Sequence, residues 1–555
     1  MLKRVLLLLG LTLTVSSSFV FIFSQGNSSD FPPEELLRRI RPQGLRAHMA
    51  FLADDLLEGR ETGTRGFQLA ANYVRSQFEE MGLKPAGVNG SYFQNIPFRK
   101  IELMRNQSSL TFKRNGSSRV LVLHKDYVMY GDPVSADTTA EGQVVFVGYG
   151  VSAPQFKYDD YAGIDVRGKI VAALYGAPSR IPSAPGAHFS STEEKLRVAA
   201  AHGAIGLLSI WAGKTEERTP FSEYVRFTKG LALRWLDEKG VPNDVQPQIR
   251  GYARISSATA SILFEGAPKP WKEALRVAED NRSQAFPLPV TVSIHIVSRF
   301  SEVESQNVAA ILPGSDPQLK NQYVVFTAHL DHLGIGDPVK GDNIYNGAAD
   351  NASGTAALIE MARAFSELSK APRRSLLFLA VTGEEEGLLG SDYYAHYPTV
   401  PMAQIVADIN MDEVSFLYDF KDIVPLGGEH SSLGAVADDV ARRMGLQVSP
   451  DPQPEEVFFV RSDQYSFIRQ GVPSLYIEEG LQTVDPKLDG KKMQLDWETQ
   501  RYHLPSDDMN QPLDLNATVK CTRVDLAVGY EVAQQTARPH WNQGDFFESF
   551  AQLGN

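Results

Sequence analysis

Apolar residues fall at Phe67, Ala70, Ala71, Val74, Phe78 and Met81, three or four positions apart, between Thr64-Arg65-Gly66 and Gly82. A single stripe at this spacing predicts an amphipathic helix, with Gly82 as its stop and Pro85 just beyond. Pro32-Pro33-Glu34-Glu35 predicts the start of an earlier helix. From about Gln94 to Ile296 the pattern changes to short β-type runs punctuated by Gly and Pro, among them Ser109–Phe112, Gln143–Val147 and Lys169–Leu174. Thr192–His202 followed by Gly203–Leu208 reads as helix, turn and strand. From about Asn307 the pattern changes again. Tyr323–Thr327, Ser375–Val381, Ile405–Asn410 and Ser474–Ile477 are continuous apolar runs, as strands buried on both faces require. Helices are predicted between them at Thr355–Leu368 and Gly434–Met444. Strands alternating with helices predict an α/β fold built on a doubly wound, mainly parallel sheet.

At 555 residues the chain is too long for one ordinary core, so more than one domain is expected. Its 43% hydrophobic and 22% charged residues are those of a soluble globular protein. A formal charge of −13 argues against nucleic acid as a partner, because phosphate binding needs a basic face. Cys521 is the single cysteine, which excludes an intramolecular disulfide and a multi-cysteine zinc site. Its apolar surroundings point to a buried residue rather than a thiol nucleophile. Met1-Leu2-Lys3-Arg4 precedes an apolar run from Val5 to Leu13 and a second apolar patch at Phe19–Phe23. Residues 1–25 are therefore expected to be a secretory signal peptide or, if retained, an N-terminal anchor. No other segment is directed to a membrane, and an extracytoplasmic location is expected either way, secreted or periplasmic.

The chemistry sits beside the apolar strands. Tyr323–Thr327 runs into Ala328-His329-Leu330-Asp331-His332. Ser375–Val381 runs into Gly383-Glu384-Glu385-Glu386-Gly387, and Ile405–Asn410 into Met411-Asp412. The loop Gly347–Gly354, with Asp350, precedes the helix expected at Thr355. In an open parallel sheet the C-terminal strand ends and the following helix N-termini face one crevice. Imidazole and carboxylate groups gathered there suit zinc, and a shared carboxylate suits a pair of metals. Asp331 is expected to accept the second imidazole N–H of His329. Glu384 and Glu385, adjacent at a strand end, diverge, so that one can bind metal while the other faces water. A fifth ligand is open at this point: the chain has 11 histidines, and His332, His396 and His430 lie in the same segment.

AHLDHLG, GAADNASG, TGEEEGLLGS, INMDEV and RYHLPSDD resemble, in order and spacing, the motifs of the co-catalytic di-zinc aminopeptidases and their glutamate-carboxypeptidase relatives. The resemblance covers about Asn307 to Ala537 and the N-terminal FLADDLLEGRETGTRG segment. VVFVGYGVSAP, DYAGIDVRGKIV and EEKLRVAAAHGAIGLL resemble a protease-associated domain inserted into such peptidases. The resemblance implies two Zn ions per chain: His329 and Asp412 on one, Glu385 and His503 on the other, and Asp350 bridging. It implies Glu384 as general base, Tyr502 as donor to the oxyanion, peptides as substrates, and a cis peptide after Asp350. Gln464 stands where relatives commonly have His, and Ala349 where they commonly have an acid; neither position is a metal ligand. The implied layout is a peptidase domain in two parts, 32–110 and 297–545, around an insert at 111–296. The reading is a zinc aminopeptidase. The alternatives are a di-zinc carboxypeptidase or dipeptidase, a glutaminyl cyclase, or an inactive receptor-like homologue.

Overall fold

The computed structural model describes residues 31–226, 228, 231–454 and 456–553, so the apolar segment 1–25 lies outside the described residues. Four strands, Ser375–Val381, Tyr323–His329, Ile405–Asn410 and Ser474–Glu479, run parallel in that spatial order. Antiparallel strands flank them: the end of Ala285–Leu312 on one side and Asp422–Leu426 on the other. Every residue of Ser375–Val381 and Ile405–Asn410 is buried. The alternation of side chains explains why. Val324, Phe326, Leu376 and Phe378 enter one core with the helices Arg65–Glu80, Gly354–Ser366 and Leu515–Gln534. Val325, Leu377 and Leu379 point the other way, onto Tyr394 and Phe467. The sheet is therefore wound on both faces and mainly parallel, as its apolar runs require.

The helix Arg65–Glu80 follows its sequence pattern closely. The Thr64 hydroxyl accepts from the Phe67 amide at 3.4 Å. Phe67, Ala70, Ala71, Val74 and Phe78 are at most 1% exposed. Gly82 takes a φ of +69°, and the Leu83 amide reaches back to the Phe78 carbonyl, the left-handed stop that glycine permits. Cys521 is buried on the helix Leu515–Gln534. Among the described residues no helix is long and apolar enough to cross a membrane.

Residues between Leu103 and Ile296 build a second core. Its strands Asp137–Val147, Ile170–Leu174, Gly206–Trp211 and Tyr252–Ser256 pair in parallel in chain order. The two cores share one strand of 28 residues, Ala285–Leu312. Its first part pairs with Asp137–Val147, and its second part with Phe93–Leu103 and, at its end, with Leu376–Ala380 of the strand Ser375–Val381. The boundary expected at 296/297 thus falls inside a continuous strand. A further strand of the middle segment, Leu231–Trp235, adds to the peptidase-side sheet beside Phe98–Glu102. His188, also from the middle segment, places Nδ1 2.6 Å from the Tyr465 hydroxyl.

Helix Leu515–Gln534 crosses the parallel strands with Gly529 at the contact, where an added Cβ would stand 2.2 Å from Phe326 Cζ. Phe326 is itself fixed by stacking on Phe378, with ring centroids 5.5 Å apart. An exposed helical Gly→Ala change gains about 1 kcal/mol from propensity. G529A is expected to do the reverse and cost about 1–3 kcal/mol through overpacking. Thermal unfolding of G529A beside the unaltered chain reads the sign.

Candidate metal centre

The strand Tyr323–His329 ends on the first candidate ligand. His329 has a side chain 1% exposed, and its Nε2 lies 3.0 Å from Asp412 Oδ1 and 3.3 Å from Asp350 Oδ1. His503 Nε2 lies 3.2 Å from Asp350 Oδ2 and 3.2 Å from Glu385 Oε2. Asp350 therefore turns one oxygen to each imidazole. A tetrahedral zinc with N and O ligands sets neighbouring ligand atoms roughly 3.3 Å apart. In each triad, His329/Asp350/Asp412 and His503/Asp350/Glu385, the imidazole stands near that distance from both carboxylates, and the two triads share Asp350. His503, side chain 24% exposed, is the most open of the five.

Backbone groups fix these carboxylates. The Asp507 carboxylate accepts from the Ala349 and Asp350 amides at 2.9 and 3.1 Å, pinning the loop that carries the shared ligand. The peptide Asp350–Asn351 is cis, as the family resemblance implies. Asn351 Nδ2 donates to the Met411 carbonyl at 2.9 Å, tying that loop to the strand end before Asp412. Ser462 donates its hydroxyl to Asp412 Oδ2 at 2.6 Å, leaving Oδ1 for the metal side. Gln464, where histidine was noted in relatives, accepts from Asn410 and donates to the Phe458 and Phe459 carbonyls, all away from the triads.

Asp331 differs from its expected role. His329 Nδ1 faces the Asp331 main-chain carbonyl at 3.1 Å, and the Asp331 carboxylate instead accepts from the Glu384 and Glu385 amides, both at 3.3 Å, and from the Thr62 hydroxyl at 3.2 Å. The strand stops at His329, so the chain turns before Asp331 and presents its carbonyl, not its side chain, to the ring. Asp331 thereby positions the two glutamates, and a peptide carbonyl fixes the His329 tautomer.

Arg60 is a buried cation from the N-terminal segment. Its guanidinium donates to the carbonyls of Leu52, Leu330, Asn346 and Gly347, two of which flank the shared-ligand loop and one of which lies between His329 and Asp331. Burial lowers its pKa to about 10 against the pull of Asp350, Asp507 and Asp331. Sequence reasoning missed Arg60, Ser462 and Asp507, although Arg60 lies in the quoted LLEGRETGTRG and Asp507 in RYHLPSDD. His332, set aside as a rival histidine, also points into the centre.

The electrostatics follow from burial. Burial holds the Glu384 carboxyl well above its ordinary pKa, opposed by His329 and reinforced by Asp412 and Glu385. Burial disfavours a charged His329, yet Asp412 and Asp350 outweigh it and raise that imidazole well above its usual value. These carboxylates thus demand a cation. Burial and then Asp350, Glu413 and Glu385 hold the Tyr502 hydroxyl protonated well above its ordinary range. Tyr502 stacks on His503 with centroids 3.9 Å apart. His329, Asp350, Glu384, Asp412 and Tyr502 open onto a cleft of about 1370 Å³, whose far wall comes from the middle segment, including Tyr175, Ser190 and Lys214.

Residues 307–529 match the sequence profile of "Peptidase family M28". Aminopeptidase NAALADL1 of Mus musculus is 26% identical over 371 residues, covering 59% of this chain and 44% of that protein. A glutamate carboxypeptidase 2 homolog of Caenorhabditis elegans is 23% identical over 409 residues, covering 67% of this chain and 51% of that protein. The chain thus spans about half the length of these relatives. An aminopeptidase from Aneurinibacillus sp. strain AM-1 shares the fold, with a TM-score of 0.51 at 19% identity over 91% of this chain and 96% of that one. The segment 307–529, which matches that profile, holds both triads and the Glu384/Glu385 pair.

Proposed function

We propose that the chain is a zinc exopeptidase acting as an aminopeptidase on peptides with a free N-terminus. In this reading two zinc ions bind per chain, one to His329 and Asp412, the other to Glu385 and His503, with Asp350 shared. Zinc supplies an acidified water and polarises the scissile carbonyl. Glu384 takes the water proton and delivers it to the leaving amine, a role suited to a carboxyl whose pKa burial has raised. Tyr502, kept protonated, donates to the developing oxyanion. Asp331 and Asp507 hold the ligand backbones still.

The observation that supports "amino" rather than "carboxy" is the row of acidic side chains on the cleft wall beside the triads. Glu413, Glu478 and Glu479 line it with Tyr476. Burial, then Glu479, pushes the Glu478 carboxyl up to about 8, so it holds its proton near neutrality and ionises when a cation enters beside it. Such a wall suits an ammonium group. A carboxypeptidase needs a cation for the substrate's terminal carboxylate. Of the cations that line the cleft, Arg461 and Arg218 are paired with Glu456 at 3.2 and 3.0 Å, and Lys214 stands on the far wall. The second core supports reading 111–296 as a protease-associated domain that walls the cleft, and the sequence of segment 1–25 supports an extracytoplasmic location.

A panel of zinc-supplemented reactions on free and N-acetylated peptides tests the function. Release of N-terminal residues only from the free peptides is expected, and release of C-terminal residues from blocked peptides overturns it. E384Q is expected to keep its zinc content and lose roughly 10²–10⁴ in turnover; near-normal turnover removes Glu384 from the role. Y502F is expected to lower kcat by roughly 10²–10³ with a smaller change in KM, read from steady-state kinetics.

A further inference from the structure

His332 follows His329 by three residues, and none of the roles above uses it. Its side chain is 0% exposed. Nδ1 lies 2.7 Å from Glu385 Oε1 and 3.8 Å from Asp350 Oδ2. Apart from this contact, neither ring nitrogen and not Glu385 Oε1 has a partner. A buried imidazole and a buried carboxylate oxygen thus face each other with no alternative partner, and buried polar groups are rarely left unpaired.

The ring has nowhere else to go. Its main-chain amide donates to the Arg60 carbonyl at 3.3 Å, and Arg60 in turn is tied by its guanidinium to the neighbouring loops. On one face lies Gly347, where a Cβ would stand 2.5 Å from the ring. On another lies His503, edge-on with centroids 5.7 Å apart. Glu385 therefore sits between two imidazoles: Oε2 faces His503 and Oε1 faces His332.

The spacing separates two roles for His332. Ligands on one zinc stand roughly 3.3 Å apart. The His332 Nδ1 to Asp350 Oδ2 distance of 3.8 Å is longer than that edge, and its 2.7 Å approach to Glu385 is shorter and of hydrogen-bond length. We infer that His332 is a positioning residue for the second zinc, donating from Nδ1 to Glu385 Oε1 so that Oε2 alone turns to the metal. The inference rests on the two-zinc reading. It extends to Glu385 the orienting contact that Ser462 makes to Asp412 and that the Asp331 carbonyl makes to His329. Partners of this kind are worth 10–100-fold or so in metal affinity.

Zinc binding by H332N, H332Q and H332A, each prepared metal-free, tests this by equilibrium dialysis against a series of buffered free-zinc concentrations. An asparagine amide falls near the position of Nδ1, whereas a glutamine amide falls near Nε2. H332N is expected to bind both equivalents as the unaltered chain does. H332Q and H332A are expected to weaken one of the two dissociation constants by roughly 10–100-fold and leave the other unchanged. Three results overturn the inference: H332N as weak as H332A, all three variants binding like the unaltered chain, or equal loss at both constants. Should H332A fail to fold, judged by circular dichroism, the contrast of Asn with Gln still decides. A failure of the two-zinc reading shows separately, as one equivalent at saturation in the unaltered chain.

Discussion

Buried carboxylates repel one another at the sheet's C-terminal edge, and much of the surrounding fold serves to hold them together. Asp331, Asp350, Glu384, Glu385, Asp412, Asp463 and Asp507 meet around the ends of the parallel strands, and burial pushes several of them toward protonation. Two like charges 4 Å apart repel by about 4 kcal/mol at an effective dielectric of 20. A hydrogen bond to a charged group returns only about 1.5–3 kcal/mol. The amides on Asp331 and Asp507 therefore orient those carboxylates without neutralising the cluster. Arg60 adds one buried positive charge, and its donors are spent on carbonyls. Divalent cations are what such a cluster is built to receive. The imidazoles of His329 and His503, both raised above their usual pKa by these acids, report the same demand.

The fold answers this constraint with rigid supports. Each ligand lies within a few residues of a buried strand or of a loop held by a buried side chain, so the acids cannot relax into solvent. Phe326, wedged between Phe378 and the helix at Gly529, sits three residues before His329. Packing below the sheet is thereby coupled to ligand position above it. The shared strand Ala285–Leu312 performs a similar service for the cleft. It fixes the second core to the sheet by hydrogen bonds along its length, so the far wall stands opposite the triads without a hinge of loose chain.

The sequence was legible where chemistry follows a strand. His329, Glu384, Glu385 and Asp412 come directly after apolar runs whose parallel pairing could be argued from pattern, and Asp350 precedes a patterned helix. His503 has no such signal. It sits in an irregular turn with a φ of +55°, after the helix Gly490–Gln500, and only the motif resemblance selected it. The role of Asp331 was misjudged because local spacing says nothing of where a strand stops. Arg60, Ser462, Asp507 and His332 stayed hidden because they act on main-chain groups or on one oxygen of another residue. No residue periodicity encodes such a contact. Beside the boundary read at 296/297 the strand changes partners, from Asp137 opposite Val297 to Leu103 opposite Ser298, while the alternation of buried and less buried residues runs on.

Zinc titration of the metal-free chain, followed at once by bound metal and by the unfolding temperature, decides whether the buried acids form a metal site. If the buried acids are a site for a metal pair, two equivalents bind per chain and the unfolding temperature rises until the second is taken up. Saturation at one equivalent, or an unfolding temperature indifferent to zinc, contradicts the account.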